Sequence, residues 1–456
     1  MAKDFSVEGW RVTVAGAARS GLAAAELLVS RGAAVTLSEM RDTFADATRM
    51  ERIGVRLELG GHRAETFRAS DLVVLSPGVS VDQPAVAEAR AAGVPVVPEI
   101  ELASRWLRGR IVAITGTKGK STTTTLTARM LRASGIAARP GGNIGEPLSA
   151  QVGSSTPDTV HVVEVSSFQL ESADTFHPWI AALLNLSADH LDRHPGFEAY
   201  ARAKARIFAC QTAEDWMVLN ADDPASVRLA SGAKARRRWF GFGAVADGVT
   251  VAGGRIVERE GGRETPLLPV AALQVPGRHT LSDVLAAAAV SRLAGASIPG
   301  VAEAAAAFRG IEHAMELAGE ADGVRFVNDS KATTIEAARW AIESVEPPLA
   351  LIMGGRHKAG DFGDLAGALR GRARAIVAIG EAAPVILERL GDVAPAAVAH
   401  SMRDAVRRAF EAVRPGGTVL LAPACASFDM FADFADRGRR FKEEVAQLVA
   451  DAASRG

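Results

Sequence analysis

Three segments of the chain repeat one pattern: an apolar strand, a glycine-bearing turn and an alanine-rich amphipathic stretch. Strands that alternate with helices pair in parallel, so the pattern predicts an α/β fold and excludes all-helical and all-β architectures. The first segment opens with "RVTVAG", a strand ending in Gly16, followed by the helix "AARSGLAAAELLVSRG" closed by Gly32 and a second strand, "AAVTLSE", ending at Glu39. The second opens with "GRIVAITGTKGKSTTTTLTARMLRASG" and carries "HVVEVSSFQLE" and "IAALLNLSADHLDRH". The third holds "VRFVNDSKAT", "LALIMGGRHKAGDF", "RAIVAIG" and "GGTVLLAPACASFD". Between the second and third, about Gly241 to Leu273, short alternating runs with Gly-rich turns predict hairpins appended to the second domain. In most of these segments the polar residues follow the carboxyl end of a strand, which is where open α/β sheets place ligands.

At 456 residues with 48% hydrophobic content the chain has material for two to four cores. Lys+Arg 52 against Asp+Glu 53 give a formal net charge of -1, so no global basic field holds nucleic acid or an anionic membrane. Any anionic ligand must be met locally. Cys210 and Cys425 lie in no CxxC pair or zinc-like cluster, and they read as buried small hydrophobes in a reducing compartment. Arg19 and Glu26 interrupt the first apolar stretch and no later run reaches membrane-spanning length, so the expectation is a soluble, cytoplasmic protein.

Gly116-Thr117-Lys118-Gly119-Lys120-Ser121-Thr122 is a shortened phosphate loop, with Ile114 where G-x-x-x-x-G-K-[ST] has its first glycine. Its mechanics survive. Glycines free backbone N–H groups to face oxygen atoms, Lys120 offers a point charge to terminal phosphates, and the Ser121 hydroxyl can ligate Mg²⁺ at a helix N-terminus. Such a loop serves hydrolysis, phosphoryl transfer, sensing or mechanical work, and its own residues do not choose among them. "GAARSG" is not spaced as G-x-G-x-x-G, although Glu39 follows about 20 residues on as a ribose-binding acid would; a packing turn and a nucleotide site both satisfy it. Glu164, an acid inside an apolar strand, needs a partner or a metal unless it sits at the strand end. Asp189, His190, Asp192, Arg193 and His194 crowd one strand end with a spacing unlike a zinc motif, which suits Mg²⁺ with mixed ligands. Lys204, between Tyr200 and Phe208 on a helical face, reads from periodicity as solvated or snorkelling.

Together "GTKGKSTT", "GGNIG" (Gly141 to Gly145), "EVSSFQLE", "NLSADHLDRH", "YARAKARIF", "NDSKAT", "GGRHKAGDF" and "APACASFDMFADFADRG" resemble the Mur ligase family, over nearly the whole chain. The last of these points to its glutamate-adding branch. The resemblance implies a UDP-sugar-binding Rossmann-like domain over 1–98, a central P-loop ATPase-like domain over 99–310 and a Rossmann-like amino-acid-binding domain over 311–456. It implies ATP, Mg²⁺ as two ions, and amide-bond formation between UDP-N-acetylmuramoyl-L-alanine and glutamate through an acyl phosphate; it implies no particular oligomer.

By the same resemblance Lys120 contacts the γ-phosphate, Ser121 and Glu164 hold one Mg²⁺, and His190 the second together with Lys204, carried as a carbamate. ATP is met by Gly116, Thr117, Lys118, Gly119, Lys120, Ser121, Thr122, His279, Asp283, Asp329 and Lys331. The UDP-sugar is met by Arg19, Ser20, Arg41, Ser76 and Gly78, with Asn143 and Ser166 near the reacting groups. Glutamate is met by Thr333, Lys358, Ser427 and Phe434. Asp329 and Lys331 belong to the third domain, so the resemblance implies domain closure. Neither the chirality of glutamate nor a change to another amino acid is fixed, and a non-catalytic UDP-sugar or nucleotide-binding regulator is the alternative of another class.

The chain departs from the family near the nucleotide. His279-Thr280-Leu281-Ser282-Asp283 stands where H-N-x-x-N is usual, His313-Ala314 where H-R is usual, and Glu39-Met40 where an Asp-Thr pair is common. An Asn amide pairs with adenine N6 and N7 together, whereas an ionised Asp283 only accepts, so the expectation is weakened or rewired ATP binding.

Overall fold

The computed structural model describes residues 5–189, 193–274, 277–358 and 360–453. Among these residues three sheets form, and they fall into two compact units, one of 1–270 with 282–305 and one of 271–281 with 306–456.

The first unit contains two sheets. In the smaller, β1 (Arg11–Ala15), β2 (Ala34–Ser38), β3 (Arg56–Glu58), β4 (Leu72–Leu75) and β5 (Val96–Pro98) pair in the order β3-β2-β1-β4-β5, all in parallel. The larger has β6 (Arg110–Thr115), β7 (Ala138–Gly142), β8 (Val160–Glu164), β9 (Ile180–Leu183), β10 (Trp216–Asn220), β11 (Arg236–Phe240), β12 (Gly248–Ala252), β13 (Arg255–Glu260) and β14 (Arg263–Pro269) in the order β14-β13-β12-β11-β10-β9-β6-β8-β7. Its parallel part reads as continuous apolar runs because helices cover both faces; Ile111 to Ile114 and Ile180 to Leu183 are all buried. The predicted hairpins are the antiparallel strands β12 to β14. Gly253-Gly254 and Gly261-Gly262 join them as two-residue turns with all four φ angles positive, the backbone that matches the twist of a tight hairpin.

β6 lies between β8 and β9, so the loops after these three strands emerge side by side. The two sheets are joined by a buried helix, Glu99–Ser104, whose Ile100 and Ala103 share a core with Leu27 of the first sheet's helix and with Ile111, Val163 and Phe176 of the second. Two acids are buried there. Glu101 accepts hydrogen bonds from the Asp174 N–H at 2.5 Å, Thr175 at 2.7 Å and Arg105 at 2.9 Å, and Glu99 accepts one from the Ser149 N–H at 2.6 Å.

The second unit carries β15 (Glu316–Ala321), β16 (Val324–Asn328), β17 (Leu349–Gly354), β18 (Ala373–Ile379), β19 (Ala396–Val398) and β20 (Gly417–Leu421) in the order β15-β16-β20-β17-β18-β19. Only β15 pairs antiparallel.

The turn after β1 shows why its glycines stand where they do. Gly16 takes φ +91°, and a Cβ on Gly21, one turn into the helix Arg19–Ser30, would lie 1.9 Å from the Gly16 carbonyl oxygen and 2.5 Å from Ser76 Oγ. Helix and strand therefore touch backbone to backbone. Gly21→Ala is expected to destabilise the first unit by about 1–3 kcal/mol, the usual cost of overpacking, read by denaturant unfolding; unchanged stability would mean that the turn yields without strain.

Candidate active site

β6 ends in a buried Thr115 and the chain turns through Gly116, at φ +156°, and Gly119, at φ +82°. Gly119 is the N-cap of the helix Lys120–Ala133 and offers no side-chain cap, so the positive end of that helix meets the loop without a capping oxygen of its own. Asn185, just past β9, fixes the loop from the side: its Oδ1 accepts from the Lys118 N–H at 2.9 Å, its Nδ2 donates to the Lys118 carbonyl at 3.1 Å, and its own carbonyl accepts from the Thr117 N–H at 3.0 Å. Tyr200 adds a hydrogen bond from its hydroxyl to Thr117 Oγ1 at 3.0 Å.

Two lysine side chains meet beneath this loop. Lys120 Nζ donates to the carbonyls of Gly116 at 2.9 Å and Thr117 at 2.8 Å, and Lys204 Nζ donates to the same Gly116 carbonyl at 2.8 Å. Lys204 is only 1% exposed. Burial pushes its pKa well below the ordinary lysine value, the charge of Lys120 adds to this, and Asp189 and Glu164 offset part of it. The solvated or snorkelling reading of Lys204 from periodicity is therefore wrong: the helix Phe197–Ala205 turns this face inward, against β6.

Glu164 is the last residue of β8 and is buried. Its Oε2 accepts from Ser121 Oγ at 2.7 Å and its Oε1 from Asn143 Nδ2 at 2.8 Å, while its carbonyl accepts from the Asn143 N–H at 2.9 Å. A carboxylate beside a hydroxyl at a helix N-terminus is a hard-oxygen donor pair that fits Mg²⁺, an ion that keeps several waters and takes phosphate oxygens rather than a full protein cage. Among the described residues no group of three or more His, Cys, Asp or Glu side chains converges for a metal. His190 and Asp192 lie outside the described residues. Asp189 pairs with Lys118 at 3.8 Å, and the buried His194 is held by Ser167 at 3.0 Å and Glu171 at 3.1 Å. Ser166 caps the helix Ser167–Glu171 in a reciprocal box with Gln169.

At the carboxyl end of the first sheet, Glu39 Oε2 accepts from the Ala17 N–H at 2.7 Å and Oε1 from Arg41 Nε at 3.0 Å. Burial acts to raise the Glu39 carboxyl, but the hydrogen bonds from Arg41 and the Ala17 N–H together hold it at about 2. Ser76 is buried and donates to the Gly16 carbonyl at 2.9 Å, Ser20 is half-buried, Gly78 is exposed, and Arg19 donates to the Gly145 carbonyl at 3.0 Å.

In the second unit the loops after β16, β17 and β20 are tied by Arg437, 1% exposed, which donates to the carbonyl of Ser330 at 2.9 Å, of Cys425 at 3.2 Å and of Gly354 at 3.4 Å. Burial lowers its pKa to about 10. On these loops Asp329 is buried and pushed up to about 7 by that burial, with the Met315 N–H and Lys331 opposing, while Lys331, Lys358 and Phe434 are exposed, Thr333 is half-buried and Ser427 is buried. His279, exposed, lies 5.7 Å from the Trp340 ring.

Comparison with known proteins bears on these features. The Mur ligase middle domain matches residues 114–291, the MurD-like N-terminal domain of Mur ligases residues 10–98, and the Mur ligase glutamate ligase domain residues 315–425. The chain belongs to the Mur ligase family. It is 44% identical over 447 residues, 97% of each chain, to the UDP-N-acetylmuramoylalanine--D-glutamate ligase of Acidobacterium capsulatum. It is 42% identical over 454 residues, 98% of this chain and 99% of the relative, to the ligase of the same name from Pelotomaculum thermopropionicum. Among solved structures it shares the fold of UDP-N-acetylmuramate-alanine ligase from Thermotoga maritima, at 21% identity and TM-score 0.58, covering 96% of this chain and 100% of that one.

Several residues of this Mur ligase's site have no role in the sequence reading. Asn185, Tyr200 and Arg437 lie inside the motifs quoted there, so a signal existed, but their work is to hold backbone from other strands and only the fold displays it. The structure gives Asp283 an environment the sequence did not show: it is 6% exposed, hydrogen-bonded to Thr122 and seated so close to Gly119 that a Cβ there would lie 2.0 Å from its Oδ1. Burial raises its pKa to about 8, with the charge of Lys120 and the Thr122 hydrogen bond only partly opposing.

Between the ordinary carboxylate value of 3.8 and about 8 the folded chain keeps this proton while the unfolded chain has lost it, so stability falls as pH rises through that window. Asp283→Asn removes this slope. Thermal midpoints measured from pH 5 to 9 are expected to show the variant gaining on the wild type with rising pH; parallel curves would mean that Asp283 is ionised in the folded protein.

Proposed function

We propose that this Mur ligase joins D-glutamate to UDP-N-acetylmuramoyl-L-alanine at the expense of ATP, forming ADP and phosphate, as a step of peptidoglycan precursor synthesis. The observation that carries the reading is the alignment of full-length relatives bearing that activity's name, at 40–44% identity, with a phosphate loop whose Ser121 is bonded to Glu164. ATP and Mg²⁺ follow from the family, and no described helix is long and apolar enough to cross a membrane. Because the co-substrate is ATP, the reading sets the enzyme in the cytoplasm.

A carboxylate is a poor electrophile, so the alanyl carboxylate oxygen attacks the γ-phosphorus, ADP leaves, the glutamate amine attacks the acyl phosphate carbon, and phosphate leaves as the amide forms. Mg²⁺, when bound, neutralises charge on the transferring phosphoryl group. The residues do the rest. Lys120 exchanges the carbonyls of Gly116 and Thr117 for a terminal phosphate oxygen, and the positive N-terminal end of the following helix favours the others. Ser121 and Glu164 would hold one ion, and His190 with a carbamate on Lys204 the second. The depressed pKa of Lys204 supports the carbamate, since a neutral amine adds CO₂ with loss of a proton. The reading assigns the UDP-sugar to residues 1–98, through Arg19, Ser20, Arg41, Ser76 and Gly78, with Asn143 and Ser166 beside the reacting carboxylate. It assigns ATP to 99–310 with His279, Asp283, Asp329 and Lys331, and glutamate to 311–456 through Thr333, Lys358, Ser427 and Phe434.

Phosphate release is to be measured with ATP, Mg²⁺ and UDP-N-acetylmuramoyl-L-alanine, supplying D-glutamate, L-glutamate or other amino acids in turn. Release with D-glutamate alone is expected; release with none overturns the enzymatic reading, and release with another amino acid in its place overturns the choice of substrate. Lys204→Ala and Glu164→Ala are each expected to lower kcat by about 10²–10³-fold or more, the scale of removing one charge-stabilising group from an active site.

A further inference from the structure

Behind the loop Gly141 to Gly145 runs a line of buried hydrogen bonds that no step of the reaction uses. The N–H groups of Arg108 and Gly109 donate to Ser155 Oγ at 3.0 and 3.1 Å, and Ser155 Oγ lies 2.8 Å from His161 Nε2. His161 Nδ1 lies 2.8 Å from Gln151 Oε1, and Gln151 Nε2 donates to the carbonyls of Pro140 at 3.1 Å and Glu146 at 3.5 Å. Ser155 is 6% exposed, and His161 and Gln151 are 0% exposed.

The direction of every bond follows from its ends. Backbone N–H groups can only donate, so the Ser155 hydroxyl must give its own proton to His161 Nε2. The ring then carries its proton on Nδ1 and gives it to Gln151 Oε1, which leaves both amide protons of Gln151 for the two carbonyls. Burial, with the charge of Arg139 adding to it, lowers the His161 pKa to about 4, in keeping with this single neutral tautomer. No donor or acceptor along the line is left over.

The two carbonyls at its end are the base of the loop. Gly142 N–H donates to the Glu146 carbonyl at 3.1 Å, and a Cβ on Gly141 would lie 2.2 Å from Gln151 Nε2, so the loop is pressed onto the amide. At its tip Asn143 grips Glu164 through both its backbone N–H and its side chain, and Glu164 grips Ser121. We propose that Gln151 and His161 are positioning residues for the ligase reaction, fixing the loop 140–146 so that Asn143 aims the Glu164 carboxylate at the metal and phosphate site. The proposal rests on the functional reading above in taking Ser121 and Glu164 as the Mg²⁺ donors.

The test uses the full chain, with Mg²⁺ and ADP as probes. The Mg²⁺ concentration that half-saturates ADP binding is to be measured by calorimetry for the wild type, Gln151→Leu, His161→Leu, His161→Asn and Gln151→Glu, beside the thermal midpoint and amide exchange of 140–147. Both leucine variants and Gln151→Glu are expected to raise half-saturating Mg²⁺ on the order of 10-fold, as loss of an outer partner of a metal ligand does, and to speed exchange at Gly142 and Asn143. The KM for glutamate stays unchanged. His161→Asn keeps a donor towards Gln151 and is expected to recover most of the loss. Wild-type Mg²⁺ dependence in folded variants, whatever their thermal midpoint, overturns the proposal, and so does a His161→Asn variant as impaired as His161→Leu. Should either leucine variant fail to fold, Gln151→Glu, which keeps the shape but cannot offer two N–H donors, decides the matter. A wild type that binds Mg²⁺ and ADP yet releases no phosphate with D-glutamate overturns the functional reading instead, while the Mg²⁺ titration still judges the loop.

Discussion

The Gly116 carbonyl accepts hydrogen bonds from two lysine side chains, Lys120 at 2.9 Å and Lys204 at 2.8 Å. Two like charges on one buried carbonyl would repel each other, and burial together with the charge of Lys120 pushes the Lys204 pKa well below the ordinary lysine value. Asp189 and Glu164 act on Lys204, and Asp283 is acted on by Lys120. The site thus gathers lysine side chains at the N-terminus of a helix, where the backbone itself favours anions. On the functional reading polyphosphate would supply negative charge at Lys120, and a carbamate would supply it at Lys204. The glycines, the inward face of the helix Phe197–Ala205 and the grip of Asn143 on Glu164 all serve to hold that arrangement together.

How much of this could be read from the residues alone depended on range. The parallel sheets, the phosphate loop and the hairpins at Gly253-Gly254 and Gly261-Gly262 follow from local patterns, because apolar runs and turn glycines act within a few residues of themselves. Glu164 was legible as a strand acid in need of a partner, and Ser121 and Asn143 supply one. Lys204 was not legible from periodicity, since what buries it comes from β6, 88 residues earlier. The family motif carried that residue where the helical pattern misled. The line from Ser155 through His161 to Gln151 gave no sign at all: a histidine within an apolar strand reads as a satisfied core residue, which it is, and only the geometry shows which backbone it holds.

Asp283 illustrates the same limit in its charge. A sequence gives an aspartate and, by default, an anion. Here burial keeps it protonated near neutral pH, and its closeness to Gly119 leaves no room for a side chain there. On the functional reading, which puts phosphate at this loop, an ionised carboxylate at that place would repel the nucleotide, whereas a neutral acid would not. The departure from the family's Asn is then smaller in charge than it looks on paper, since an amide and a protonated acid are both neutral and both can donate one hydrogen bond and accept another.

If the functional reading holds and phosphate binds beside Asp283, it would strengthen this state, because a nearby anion disfavours ionisation of a carboxyl group. Lys120 works the other way, its charge favouring the carboxylate. A Lys120 turned from the Gly116 and Thr117 carbonyls towards a phosphate, as the functional reading has it, would share its charge with that anion and pull less on Asp283. On that reading nucleotide binding and the proton on Asp283 would support each other, through an acid that packs directly against Gly119 of the loop.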